Sequence, residues 1–427
     1  MIQKPFQAAN ILLPDLEDYE NFSVVACDQY SSQPEYWEEV EKQLQDRTSA
    51  LSFILPEAWI GTPKGATHQQ GISARMEKAL NESFFKVHPD CYIFVRRTLN
   101  DDTVRQGLIG MLDLETYDFN AGSKSAIRAT EATILERIPP RVNIRKQAPL
   151  ELPHILLLAD DDKDELLSSI NQKAINGQLP LLYDFDLMQN GGHISGYLID
   201  QDDASEFDLT LEKYVQSISS KYPGLNEDSL VFVVGDGNHS LAAAKTIWEE
   251  VKQNLSEEEQ INHPARFALA ELENIHHDSQ VFEPIHRIIT ETSPDELLEA
   301  LKKDYALFSD SRNDEANPAG FPVECIIGDH IEMIWLDSSK GELAIAILQN
   351  FLDQYLNDHP GKIDYIHGNS EVRALAQQDH AIGFILPGMN KSSLFRGVIA
   401  DGSLPRKTFS MGHANEKRFY LEGKIIR

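Results

Sequence analysis

The sequence predicts a mixed α+β protein with more than one domain. Helical and strand-like patterns follow one another without the strict alternation that a parallel sheet with crossover helices would need. The chain is 427 residues long, which at roughly 150 residues per domain makes two or three domains. A break at Thr292-Ser293-Pro294 divides it into residues 1–290 and a second mixed part, 291–427.

The elements follow in order. Glu35 to Leu44 reads as an amphipathic helix, with Tyr36, Val40 and Leu44 at every fourth residue. Tyr92 to Arg96 and Gly107 to Leu112 are strand-like and joined through the polar turn Asn100-Asp101-Asp102. Ala126 to Ile138 has helical spacing, and Pro139-Pro140 is expected to stop it. Ile155 to Ala159 reads as a short buried strand. Asp160, Asp161 and Asp162 after it fit the first turn of a helix, where the macrodipole favours acids.

Tyr183 to Asp186 and His193 to Ile199 alternate around Gln189-Asn190-Gly191-Gly192, which is hairpin chemistry. Leu230 to Val234 is a strand leading through Gly235-Asp236-Gly237-Asn238-His239 into a helix. The buried stripe of that helix is Leu241, Ala244, Trp248, Val251 and Leu255. After the break come a helix from Asp295 to Lys303, a hairpin about Gly328-Asp329 and a helix from Glu342 to Leu356. Strands at Ile363–Ile366 and Ala381–Leu386 complete the second part.

Charge narrows the partners. Lys and Arg number 38 against 68 Asp and Glu, a net charge of −30, which opposes nonspecific contact with nucleic acid or anionic membrane. No apolar run approaches the roughly 18 residues of a membrane span. The start, MIQKPFQAANILLPDL, lacks a charged head followed by a long apolar stretch, so no secretory signal is expected and the expected location is cytoplasmic. Cys27, Cys91 and Cys325 are far apart and form no CxxC pair, which supports neither a disulfide framework nor a cysteine zinc site.

Leu230 to Lys245, LVFVVGDGNHSLAAAK, is the most informative segment. A strand, a turn with two glycines and a helix start gather free backbone amides at the positive end of a helix dipole, a generic anion site. Gly235 and Gly237 allow close backbone approach, and Asp236, Asn238 and His239 put polar groups at the edge. The segment is neither GxGxxG nor GxxxxGKS. The bland alternative is a tight turn with Asn238 or Ser240 capping the helix.

A second segment, IRATEATILERIPPRVNIRK, is the densest basic patch of an acidic chain. Arginine forks at Arg128, Arg137 and Arg141 suit phosphate oxygens, and Glu131 among them suits a general base. Surface ion pairs on a helix are the alternative. His276-His277-Asp278 has no metal-ligand spacing and reads as a loop. Cys27 has no local partner base, while Asp28 and Tyr30 could line a pocket.

GDGNHSLAAAK resembles the Asp-Gly-His-His-Arg-x-x-x-Ala signature of a large prokaryotic family. That signature in turn is similar to the nucleotide-binding box of the ParB/sulfiredoxin-like superfamily. IRATEATILERIPPR, VFEPIHRII, IDYIHG and GSLPRKTF match the family in the same order. The resemblance implies a ParB/sulfiredoxin-like nucleotide-binding core plus a C-terminal α+β domain. It also implies ATP or ADP with Mg²⁺ as cofactors and a small-molecule substrate.

By the same resemblance Asp236 and His239 fall where the superfamily's free-amino-acid kinases place phosphate-contacting or catalytic groups, with Asp236 on the metal. Glu131 takes the position of the upstream glutamate, and His286-Arg287 that of a recurrent dipeptide facing the site. Arg406-Lys407-Thr408, after Gly402 in a loop, reads either as a solvated basic turn or as a second phosphate clamp or domain-closing element. The chain departs from the signature at Asn238 and Ser240, and carries Thr130-Glu131 where many relatives have His-Glu. The expected function is transfer of phosphate from a nucleotide to a hydroxyl of a small, amino-acid-like metabolite. The alternative is a noncatalytic nucleotide-binding sensor or scaffold.

Overall fold

The computed structural model describes all residues except 1–3, 32, 46, 121, 132–137, 225–229, 308–319 and 406. The chain divides into two compact units. One comprises Met1–Ala129, Thr133–Gln280 and Gly412–Arg427, and the other Thr130–Ala132 with Val281–Met411.

The first unit is built on an 11-stranded mixed sheet. Its long central hairpin, Phe85–Thr98 with Val104–Asp113, closes through the Leu99 amide on the Thr103 carbonyl at 2.8 Å. Side chains on a strand alternate between faces. Accordingly Ile93 and Val95 enter one apolar core and Tyr92 and Phe94 the other. The helices Pro34–Leu44 and Pro63–Asn81 cover the first core through Trp37, Val40, Ile72 and Met76. The helices Gln201–Lys221 and Asn238–Lys252 cover the second through Phe207, Leu211, Leu241 and Trp248. The unit is therefore a sheet with helices on both faces.

The strand Phe232–Asp236 lies inside this sheet, parallel to Ile127–Ala129 and antiparallel to Leu156–Ala159. Phe232, Val233 and Val234 are fully buried, as a strand covered on both faces requires. The second unit carries a six-stranded antiparallel sheet, with Phe282–Thr290 between Lys362–His367 and Ile382–Ile385. The helices Pro294–Tyr305 and Ala344–Asp358 belong to this unit. Thr292-Ser293-Pro294 lies at the start of the first of them. Among the described residues no helix is long and apolar enough to cross a membrane.

Three local expectations are corrected. Ile127–Ala129 is a strand, and the helix of that region runs from Ile138 to Arg145 with Pro139 and Pro140 in its first turn. A proline there gives up only an amide that has no helical partner, so the pair opens this helix instead of closing one. The acids after Ala159 precede a helix that begins only at Ser168. Asp161 accepts the Leu166 amide at 2.7 Å and Asp160 pairs with Lys221 at 2.9 Å, so both are spent on loop contacts. The helix after Gly237 ends at Lys252, short of Leu255, and also buries Ala242, Ala243 and Ile247.

Charge is also buried here. Glu271 and Glu273, on the fully buried strand Phe267–Asn274, are driven above the ordinary carboxylate range by loss of water, and the nearby Glu273 raises Glu271 further. Gly107 makes room for one of them, because a Cβ there would sit 2.0 Å from Glu271 Oε1. Glu422 accepts the Tyr183 hydroxyl at 2.6 Å, and burial pushes its carboxyl from 4.5 to about 7.

The sign of the linkage follows from that raised value. Unfolded Glu422 ionises as pH passes 4.5, while the folded group stays protonated to about 7. Burial thus costs nothing at pH 4 and a constant amount above 7, about 3 kcal/mol. Glu422→Gln keeps an acceptor for Tyr183 and lifts that cost. Urea denaturation should show the variant more stable than wild type at pH 8 and little changed at pH 4. Equal differences at both pH values would refute this.

Candidate functional site

The site is built around one bend. The strand ends at Asp236, and its pairing register with Leu156–Ala159 shifts between Val234 and Asp236, a bulge at Gly235. Gly237 follows with φ +81°, and a Cβ there would meet Ile155 Cα at 3.0 Å. Glycine is thus required twice, for the left-handed backbone and for the close approach of the neighbouring chain.

The 15-residue helix Asn238–Lys252 starts at once, with Gly237 rather than Asn238 or Ser240 as its N-cap. Its first intrahelical bond runs from the Leu241 amide to the Gly237 carbonyl at 3.0 Å. The amides of Asn238, His239 and Ser240 therefore lie outside the helical ladder, at the positive end of the dipole.

Asp236 is held at both oxygens. Its Oδ1 accepts the Gly237 amide at 2.7 Å, and its Oδ2 lies 3.2 Å from Lys417 Nζ. Lys417 arrives on the segment that returns from the second unit. The Ala26 amide donates to the Lys417 carbonyl at 2.7 Å and the Phe419 amide to the Val24 carbonyl at 2.9 Å. This pairing lays Lys417 beside Ala26-Cys27-Asp28.

Two further groups complete a charge cluster. Burial pushes the Asp28 carboxyl up, but His154, the Gln29 amide, Lys417 and Arg141 outweigh it and leave the group below its ordinary value. Burial holds the His154 imidazole below its ordinary value despite the pull of Asp28 and Asp236. His154 is therefore neutral and Asp28 ionised at neutral pH. Arg141 binds Glu57 at 2.6 Å. Burial pushes the Cys27 thiol up to about 12, so it is no thiolate nucleophile. A cavity adjoins the cluster, with Arg141, His154, Ile155 and Ser240 in its wall.

Gly235, Asp236, Gly237, Asn238 and His239 thus form the bend, and Arg141 stands in the same cluster. Arg128 is buried and donates Nε to the Ser125 carbonyl at 2.9 Å. Arg137 and Arg406 lie outside the described residues. Glu131, His286, Arg287 and Lys407 belong to the second unit. There Glu131 Oε1 accepts the Thr408 amide at 3.2 Å and His286 Nδ1 accepts the Leu386 amide at 3.2 Å. Arg287 is fully buried, bonded to Gln349 at 2.8 Å and lying 4.5 Å over the Tyr365 ring, while Lys407 is exposed.

His276 and His277 bind Asp160 and Asp164 at 2.6 and 2.8 Å. Among the described residues no group of three or more His, Cys, Asp or Glu is placed to hold a metal ion. His154, Glu57 and Lys417 are additions from the structure. A lone histidine before an apolar strand and a lysine far along the chain carry no pattern that sequence reading can use.

Several solved structures are similar to this chain. SbnI with C-terminal truncation from Staphylococcus aureus is 11% identical over 71% of this chain and 83% of that one, with a TM-score of 0.36. A free serine kinase in complex with AMP is 10% identical over 74% and 90%, at 0.38. A conserved hypothetical protein from Pyrococcus furiosus is 9% identical over 74% and 94%, at 0.36. Likeness this loose settles nothing about chemistry. No curated protein matches the chain. The family described as "Protein of unknown function (DUF1015)" matches residues 4–399, and the chain belongs to that family.

Proposed function

We propose that this protein is a phosphotransferase that moves phosphate from ATP or ADP to a hydroxyl of a small metabolite. The observation that carries this reading is the bend at Gly237. The positive end of the helix dipole lies at this bend, and Lys417 and Arg141 add positive charge nearby. Phosphoryl transfer asks a protein chiefly for positioning and charge compensation, and this cluster offers both. The resemblance of GDGNH to the ParB/sulfiredoxin-like nucleotide box points the same way.

In this scheme the backbone of Gly235 to His239 cradles the phosphates, and the His239 side chain contacts the group in transfer. Lys417 and Arg141 offset developing negative charge. His154, neutral and in the same cluster, takes the proton of the acceptor hydroxyl. Mg²⁺ fits one or two carboxylates together with phosphate oxygens, which Asp236 and Asp28 would supply. When bound, it would neutralise phosphate oxygens. The reading puts the enzyme in the cytoplasm, acting on small molecules.

A sensor that binds nucleotide without turnover is favoured by one observation, the Asn238 and Ser240 departures from the signature. His154→Gln separates the two readings: a kinase that uses His154 as base loses turnover and keeps nucleotide affinity, whereas a sensor is unaffected in its response.

A thermal-shift panel of ATP, ADP, CTP and GTP, with and without Mg²⁺, tests binding itself. Ligand at 100 times its dissociation constant should add about 2.7 kcal/mol of stability. Gly237→Val, which cannot adopt the bend without strain, should remove most of that shift. Lys417→Met should weaken nucleotide binding about tenfold or more, read by titration calorimetry. No shift with any nucleotide would overturn both readings.

A further inference from the structure

A second cavity in the first unit shares no wall residue with the bend or its charge cluster. Its volume is about 640 Å³, within the roughly 300–1,000 Å³ of small-molecule sites. Part of its wall is one face of the helix Gln201–Lys221, where Asp208, Leu211, Glu212 and Val215 recur at steps of three and four residues. Pro5, Ile261 and Phe267 add apolar surface. Leu211 and Phe267 are buried, whereas Ile261 is 55% exposed. A large apolar side chain left in water beside a cavity is surface that a guest gains by covering.

The charges in this wall do not balance. Arg266 is spent on Asp113, with Nε 2.9 Å from Oδ1 and a terminal nitrogen 2.6 Å from Oδ2. Lys4 donates to Asp208 Oδ2 at 2.9 Å, and the Tyr92 hydroxyl donates to Asp208 Oδ1 at 2.6 Å. Both oxygens of each aspartate are thus engaged. Glu212 differs: its Oε1 lies 3.6 Å from the same Lys4, beyond hydrogen-bond length, and its side chain is 51% exposed. Two cations therefore serve three carboxylates, and the charge left over is negative and sits on Glu212. An anionic guest meets it as a repulsion, and a cationic guest completes the pairing.

We infer that this cavity binds a small amphipathic monocation, an amine whose ammonium meets Glu212 and whose apolar body covers Leu211, Val215 and Ile261. The site does not depend on the phosphotransfer reading. Glu212 is half in water, so its ion pair sets the preference among guests, while the apolar wall supplies most of the affinity.

Tryptamine, tryptophol and indoleacetate share one apolar body and differ in charge, so titrating each into the full chain with labelled isoleucine methyls tests this. Tryptamine should move the Ile261 methyl resonances and bind about fivefold more tightly than tryptophol, with indoleacetate weaker than either. Added salt should shrink the advantage of the amine. A net charge of −30 attracts any cation loosely, so the variants decide. Glu212→Gln should abolish the advantage of tryptamine and leave tryptophol unchanged. Ile261→Ala, at an exposed position, should weaken all three about threefold. Failure of tryptamine to move Ile261, or an advantage over tryptophol that survives Glu212→Gln, overturns the inference. Binding that Ile261→Ala leaves untouched places the guest elsewhere and overturns it too.

Discussion

Everything at the site depends on a single reversal of backbone sign. Asp236 ends an extended strand and Asn238 begins a helix, so the residue between them must change direction within one peptide. Gly237 does so at φ +81° while lying against Ile155. A side chain at this point would push the neighbouring strand entrance away from the helix start. With glycine, the amides after it, the Asp236 carboxylate and His154 come into one neighbourhood.

The second constraint is charge. Two carboxylates, a lysine, an arginine and an imidazole share a partly desolvated space, and none would be stable there alone. Each is tolerable because the others are present. Asp28 is kept ionised by the cations facing it, and His154 is kept neutral because burial outweighs the nearby acids. A neutral imidazole beside an ionised carboxylate is a useful combination for moving a proton.

Much of this was legible in the sequence wherever pattern is local. The run Val231 to Val234 and the glycine pair marked the strand and bend because apolar continuity and a missing Cβ are visible residue by residue. The hairpins around Gly191 and Gly328 were equally plain. Pro139-Pro140 misled because proline at either end of a helix looks alike without the geometry of what precedes it. Long-range pairings left no trace. Lys417 reaches Asp236 only through strand-like pairing with residues 24–26, and His154 matters only because Asp28 and Asp236 fold around it.

The first unit is discontinuous along the chain: it is interrupted by Val281–Met411 and resumes at Gly412. During synthesis on the ribosome, the strand Phe232–Asp236 and the helix after it emerge well before the residues that complete their surroundings. Domains generally fold as units as they leave the ribosome, but this one cannot finish until the polypeptide beyond Met411 has been made. Until then Asp236 lacks its lysine and Tyr183 lacks Glu422. A chain released early would hold the whole glycine turn and still lack its counter-charge, so assembly of the charge cluster reports that translation has passed Lys417.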